Sequence, residues 1–369
     1  MIRKNAKYLH IIWHPDLKFI PKLIKMINEE DSYFNLEEHI FITPHKKVYD
    51  EMSKKYEIYL CGNEQENLIN KYGEYGQWIF VHAINCSKLK LILTKNKYAK
   101  KVIWRTWGHD IRPLEYYNYR GIKKILFHFI WKAYIEKVHR FHMIGVANDI
   151  DLVNVNNTFG EMDSCILGYG YDPIKDNLLD KLKNNIENRK EKSLRILIGH
   201  SASKWDDHIS VMKKLIQYRN YDITICLILS YAGEREYVDE VKKFAKENFG
   251  EKIEIIDCFM EYEKYINYLN SIDIAIFAQK HSTALSNISW LLHFGKTIYF
   301  REDSDFAKSF KRKKCEFCKV EEIEKMTFEQ FKTKRNSKEL MNEYGIIPTS
   351  KDCCENWKKV LDKLSEEEI

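Results

Sequence analysis

Val102-Ile103-Trp104-Arg105-Thr106-Trp107-Gly108-His109-Asp110 is the stretch from which the fold is read. An apolar, β-branched start predicts a strand. The Gly and two titratable side chains that close it, ahead of a turn around Pro113, predict a site at its end. Open α/β sheets bind ligands in this way, outside the carboxyl ends of their strands.

Similar runs recur on both sides of it. In the first half the pattern predicts strands at Tyr8–Trp13, His39–Thr43, Ile58–Cys61, Trp78–Ile84, Val102–Trp107 and His142–Ala147. In the second half it predicts them at Leu194–His200, Ile223–Ser230, Ile253–Cys258, Ile274–Ala278 and Thr297–Phe300. Helical patterns separate them, and that alternation indicates parallel, doubly wound sheets. Gly168-Tyr169-Gly170-Tyr171-Asp172-Pro173 reads as a turn that opens a polar stretch. The expected division is a first Rossmann-like domain over 1–170, a linker over 171–192 and a second such domain over 193–345. A C-terminal helix over 346–369 is expected to pack back on the first domain.

A chain of 369 residues fits two cores of ordinary size. Its formal charge of +6 suits an anionic nucleotide or an acidic membrane surface, and falls short of the dense basic footprint of a nucleic-acid binder. Nine scattered cysteines suit a reducing compartment. Cys315-x-x-Cys318 with Cys353-Cys354 has poor geometry for zinc, and structural thiols are expected. The start, Met1-Ile2-Arg3-Lys4 leading into Tyr8–Trp13, is too short for a signal core, and no run approaches the roughly 18 apolar residues of a span. A cytoplasmic protein, peripheral on the cytosolic face of the inner membrane, is the expectation.

Three strand ends in the second half carry candidate chemistry. Leu194–Ile198 runs into Gly199-His200-Ser201-Ala202-Ser203 and then a helix, an arrangement that aims free N–H groups and a helix dipole at an anion. Ile274–Phe277 runs into Ala278-Gln279-Lys280-His281 and on through Leu285-Ser286-Asn287 to an apolar helix. Ser286 or Asn287 is the expected N-cap there, and Gln279 offers an amide. Lys280 and His281 supply positive charge for a departing diphosphate. Ser230-Tyr231 follows a further strand. Each loop has an ordinary capping or turn alternative.

In this order the segments resemble glycosyltransferase family 56, the 4-acetamido-4,6-dideoxygalactosyl transferases of enterobacterial common antigen synthesis. The matching stretches are Trp104–Asp110, Ile198–Ala202 with His208, Leu229–Tyr231, Asp273–Phe277 with Gln279, Leu285 and Asn287, and Leu291–Gly295. The resemblance runs from about residue 78 to 300. It implies a GT-B fold, two doubly wound domains facing a cleft. It also implies a nucleotide diphosphate sugar as donor, dTDP-linked in the best-known members, and an undecaprenyl-diphosphate-linked glycan as acceptor, in bacterial surface polysaccharide synthesis. The donor side is then Gly199, His200, Ser201, Ser230, Tyr231, Gln279, Leu285, Ser286 and Asn287. Asp110 is the first choice of base, followed by His109, His14 and Asp16. Trp104 and Trp107 are either core or a stacking wall for a sugar. Asp149-Ile150-Asp151 and Asp303-Ser304-Asp305 have Asp-x-Asp spacing but read as a helix start and a surface loop, so no metal or other cofactor is expected. A sugar-nucleotide epimerase of similar fold, or a non-catalytic nucleotide-binding membrane protein, is the competing reading.

One helix, Gly121 to His142, reads as a membrane element. Lys124, Phe127, Trp131 and Tyr134 form a basic and aromatic side suited to anionic lipid, with Ile122, Ile125, Leu126, Phe129, Ile130 and Ala133 on an apolar face. A core helix is the alternative.

Overall fold

In the computed structural model every strand pairs in parallel, so crossovers must return the chain to the same edge each time. It describes residues 6–62, 67–84, 88–93, 95–107, 109–111, 120–182, 193–333 and 338–367. The turn around Pro113, Gly108, the side chain of His109 and the later part of the linker (183–192) lie outside the described residues. The chain divides into two compact units, one of Met1–Asp176 with Pro348–Ile369, the other of Asn177–Ile347.

The first unit holds β1 (Ala6–Ile12), β2 (His39–Thr43), β3 (Tyr59–Leu60), β4 (Gly76–His82), β5 (Val102–Arg105), β6 (Met143–Val146) and β7 (Ser164–Ile166). Their order is β3-β2-β1-β4-β5-β6-β7. The second holds β8 (Leu194–Ile198), β9 (Ile223–Ile228), β10 (Ile253–Ile256), β11 (Ile274–Phe277), β12 (Thr297–Phe300) and β13 (Cys318–Lys319), ordered β10-β9-β8-β11-β12-β13. Each sheet therefore has a topological switch point, between β1 and β4 in one and between β8 and β11 in the other.

Most expected strands run a residue or more past the observed ends. The excess is the start of each functional loop, which leaves the ladder as soon as the pairing stops. β7 and β13 were not anticipated, being only three and two residues long and at sheet edges.

Both faces of β1 are buried, Tyr8 and Ile12 in one apolar cluster, Leu9 and Ile11 in the other. The first of these faces is closed by the C-terminal helix Ser350–Glu366, which buries Cys353, Cys354, Trp357, Leu361 and Leu364. Polar atoms stitch it in place: Tyr8 Oη donates to the Leu361 carbonyl (3.0 Å), Trp78 Nε1 to that of Leu364 (2.8 Å), and Trp357 Nε1 to that of Gly168 (2.8 Å).

The other face receives the helix Ile122–Val138, and here one expectation is corrected. Trp131 and Tyr134 are buried against Trp104 and Phe159, and Phe127 packs half-buried beside them. Those three aromatics are core and not a lipid contact, because indole, phenol and phenyl rings fill the space over β5. Lys124 stays exposed. No described helix is long and apolar enough to cross a membrane.

Trp357→Ala should lower the unfolding free energy by about 3–5 kcal/mol in urea titrations, the cost of a large core truncation. A loss below about 1 kcal/mol would mean that the C-terminal helix does not close this core.

Candidate active site

Both switch points end in loops that are braced by a fully buried carboxylate. In the first unit it is Asp110. Its Oδ2 accepts from Ile84 N (3.2 Å) and Trp104 Nε1 (3.1 Å), and its Oδ1 from Trp107 N (2.8 Å). With no exposed surface and three donors, Asp110 clasps the ends of β4 and β5 together. That corrects its assignment as base, since a carboxylate committed to three donors and shut from solvent has no access to an acceptor hydroxyl. Trp104 is likewise corrected: it is wholly buried and cannot be a sugar wall.

What faces outward at this edge is smaller. His14 lies in the turn after β1, half-buried, with its ring stacked on Trp107 at 4.8 Å and 16°. Trp107 also meets Tyr169 at 5.1 Å and the edge of Phe19 at 6.0 Å. Asp16 is occupied in starting the helix Ile20–Glu29, where Oδ1 accepts from the amides of Lys18, Phe19 and Ile20. Arg105, buried, reaches the carbonyls of Leu167 and Thr106 and lies 4.3 Å above the Tyr169 ring.

Beneath this edge runs a chain of imidazoles that sequence reasoning missed. His39 Nδ1 and His10 Nε2 are 2.9 Å apart, His10 Nδ1 and His82 Nε2 3.1 Å, and His82 Nδ1 and Tyr169 Oη 2.7 Å. Phe41 and Phe80 stack on His10 from β2 and β4. Burial, with the neighbouring imidazoles, pushes the His10 pKa well below its usual value. Burial, assisted by Arg105, pushes that of His82 down to about 3. Neutral imidazoles each give one donor and one acceptor, so the chain can satisfy itself in one direction at a time. The only signal in the sequence was a His at an inward position of three separate strands.

In the second unit the clasp is Asp206. Its Oδ2 accepts from Ser201 Oγ (2.7 Å), Ser201 N (3.0 Å) and His200 N (3.3 Å), while Oδ1 accepts from His200 Nδ1 (3.0 Å). Burial alone would raise its pKa; the His200 hydrogen bond and charge and the Ser201 hydroxyl hold it below the ordinary carboxylate value. The loop amides of His200 and Ser201 thus turn inward to their own carboxylate, and this corrects the expectation that they stand free for an anion. Gly199 has φ +67°, and a Cβ there would fall 2.8 Å from that of Asp206 and 2.9 Å from His208 Nε2. Only glycine fits.

The loop after β11 is different. Gln279 is buried, with neither its Nε2 nor its Oε1 hydrogen-bonded to protein. The helix that follows, Leu285–His293, is preceded by Ala284 in the left-handed region (φ +64°) and has no side-chain cap. Ser286 and Asn287 therefore do not cap it, as expected of them; they are its second and third residues, and Asn287 Nδ2 donates to Tyr265 Oη (2.7 Å). Leu285 is half-buried and Ser286 exposed. A buried amide without a partner and a helix N-terminus without a cap lie within a few residues of each other. Each leaves hydrogen-bonding groups without a protein side-chain partner.

Neighbouring groups complete the edge. Gly199 N donates to the Ile276 carbonyl (3.0 Å), joining the β8 end to β11, and Trp205 meets the His281 ring at 6.1 Å. His281 Nδ1 is 3.6 Å from Asp305, whose own amide donates to the Lys280 carbonyl. Ala202 N donates to the Tyr231 carbonyl, leaving the exposed Tyr231 ring edge-on to His200 at 6.3 Å, with Ser230 half-buried before it. Of the two Asp-x-Asp pairs, Asp149 and Asp151 open a helix capped by Asn148, Asp303 pairs with Arg301, and Asp305 accepts from Ser282 N (3.2 Å) in the loop after β11.

Comparison with known proteins bears on the family and the fold. The family model described as 4-alpha-L-fucosyltransferase glycosyl transferase group 56 matches residues 44–366. Among solved structures, a glycosyltransferase from Rickettsia africae superimposes with a TM-score of 0.63 at 12% identity, covering 98% of this chain and 100% of that one. HepE of Anabaena, solved in complex with UDP, gives 0.63 at 10% identity over 97% and 100%. The UDP-GlcNAc 2-epimerase of Methanocaldococcus jannaschii gives 0.51 at 14% identity over 98% and 100%. The chain belongs to glycosyltransferase group 56 and has the GT-B fold.

The buried imidazoles make stability pH-dependent. Burial lowers the His208 pKa to about 4, and that of His82 further. Between pH about 6.5 and 4 the unfolded chain binds protons that the folded one does not, so stability falls as pH drops through that window, by about 3 kcal/mol for His208 alone. Urea midpoints measured from pH 7 to 4 should decline accordingly. A flat profile would show that these rings are charged when folded.

Proposed function

We propose that this glycosyltransferase moves a deoxyamino-type hexose from a nucleotide diphosphate donor, dTDP foremost, to an undecaprenyl-diphosphate-linked glycan at the cytosolic face of the membrane. The observation that carries the donor half is the Gln279 amide, buried and without a protein partner in the loop that leads to the uncapped start of Leu285–His293. Anions are stabilised at such a start by its N–H groups and dipole. In this reading the diphosphate rests on the amides of Leu285, Ser286 and Asn287, Gln279 donates to it, and Lys280 with His281 offsets the charge that grows as it leaves. Gly199, His200 and Ser201 shape the wall, held by Asp206, and Tyr231 lines the ribose or base side. That electrostatic set does without a metal.

The acceptor half rests on the first unit. Its hydroxyl attacks the anomeric carbon, the bond from that carbon to the diphosphate oxygen breaks, and the hydroxyl proton passes to a base. We assign the base to His14, whose ring is partly open and held flat by Trp107. Trp107 in turn offers a face for sugar stacking.

Titration calorimetry with dTDP, UDP, GDP and CMP, each with and without EDTA, tests the donor half. One nucleotide should be selected, EDTA should have no effect, and Gln279→Ala should weaken binding by about 1–2 kcal/mol. Absence of binding to all four, or an unchanged affinity in Gln279→Ala, contradicts the proposal. His14→Ala should lower kcat by about a hundredfold or more while leaving donor affinity intact. Donor turnover without any acceptor would instead indicate an epimerase.

A further inference from the structure

With its aromatic side turned into the core, the helix Ile122–Val138 leaves its other side exposed among the described residues. Ile122 is 82% exposed, Ile125 60%, Leu126 62% and Phe129 65%. These positions fall at i, i+3, i+4 and i+7, so the four side chains form one continuous stripe along the helix. Stripes of this kind on a soluble surface mark a contact site. The short helix Lys88–Leu93 packs alongside and adds Leu93, also largely exposed.

Charge decides what covers the stripe. Lys123, Lys124 and Lys132 stand exposed on this helix, Arg120 just ahead of it, and Lys90 on its neighbour. Between Arg120 and Ile135, and between Lys88 and His109, there is no Asp or Glu. A second copy of the chain docked by this face across a two-fold axis would bring two rows of lysine together as the apolar stripe excluded water, which Coulomb repulsion opposes. An anionic bilayer takes both features at once. The apolar side chains enter the acyl boundary, and the lysines extend along it to reach lipid phosphates.

We infer that Ile122, Ile125, Leu126 and Phe129, flanked by Lys123 and Lys132, seat the first unit on an anionic lipid surface with the helix lying in its plane. This deepens the proposed function, because a lipid-linked acceptor is presented at such a surface. Its lipid specificity comes from the lysines and its depth from the stripe.

Flotation with vesicles of phosphatidylglycerol and phosphatidylcholine in equal parts, against vesicles of phosphatidylcholine alone, tests it without nucleotide or acceptor. The whole protein should float with the anionic vesicles and lose binding as salt rises. Ile125→Gln with Phe129→Gln should reduce partitioning by about tenfold or more. Lys123→Glu with Lys132→Glu should abolish the preference for anionic lipid. Both pairs are exposed, so circular dichroism and nucleotide affinity should match the wild type. No flotation of the wild type, or equal flotation of the Ile125/Phe129 variant, overturns the inference. So does a wild-type dimer that the Ile125/Phe129 variant converts to monomer, which would make the stripe a self-interface. Vesicle binding that persists in a protein unable to bind any nucleoside diphosphate would leave this surface standing and remove the donor reading alone.

Discussion

Burial on both faces of the parallel sheets is the constraint from which the rest follows. A strand such as β1 spends nearly every side chain on packing, so it has none to spare for chemistry along its length. Chemistry is confined to the carboxyl edge, where pairing stops and loops begin. The switch points then select which loops matter: those after β1 and β4 in one unit, and those after β8 and β11 in the other. Every group assigned a role in transfer stands on one of these loops or on the loop of a neighbouring strand, as Trp107 does after β5 and Tyr231 after β9.

Loops at such an edge need bracing, and both units use the same device. Asp110 and Asp206 are each buried carboxylates that collect backbone amides from the loop ends they join. Removing such a group leaves amides unpaired in the interior, so its effect on activity would come through loop geometry. The same logic separates site from scaffold elsewhere. Asp110 and Ser201 have all the partners they need from protein, whereas the Gln279 amide has none. The proposed donor site is built on that unsatisfied amide.

Much of this was legible in residue order. β-branched runs alternating with helical patterns announced the doubly wound sheets. Less legible was the direction in which polar side chains turn. Asp110 and a free base look alike in a string of letters, and the two differ only by three donors supplied from Ile84, Trp104 and Trp107. The helix Ile122–Val138 shows the limit differently. Two apolar stripes of similar quality compete for the core, and periodicity has no means to rank them. Ring volume over β5 decided for Trp131 and Tyr134, and the aliphatic stripe was left outside. The imidazole chain was hidden because its members are far apart in sequence, at His10, His39 and His82, and meet only through strand register.

The central claim is that a nucleoside diphosphate is held at the β8/β11 edge of the second unit. Amide-resolved hydrogen exchange with and without the nucleotide that binds addresses it directly. The account predicts new protection at residues 279–288, strongest at the start of the Leu285–His293 helix, with smaller protection at 199–206. Protection confined to the loops after β1 and β5, with 279–288 unchanged, would contradict it.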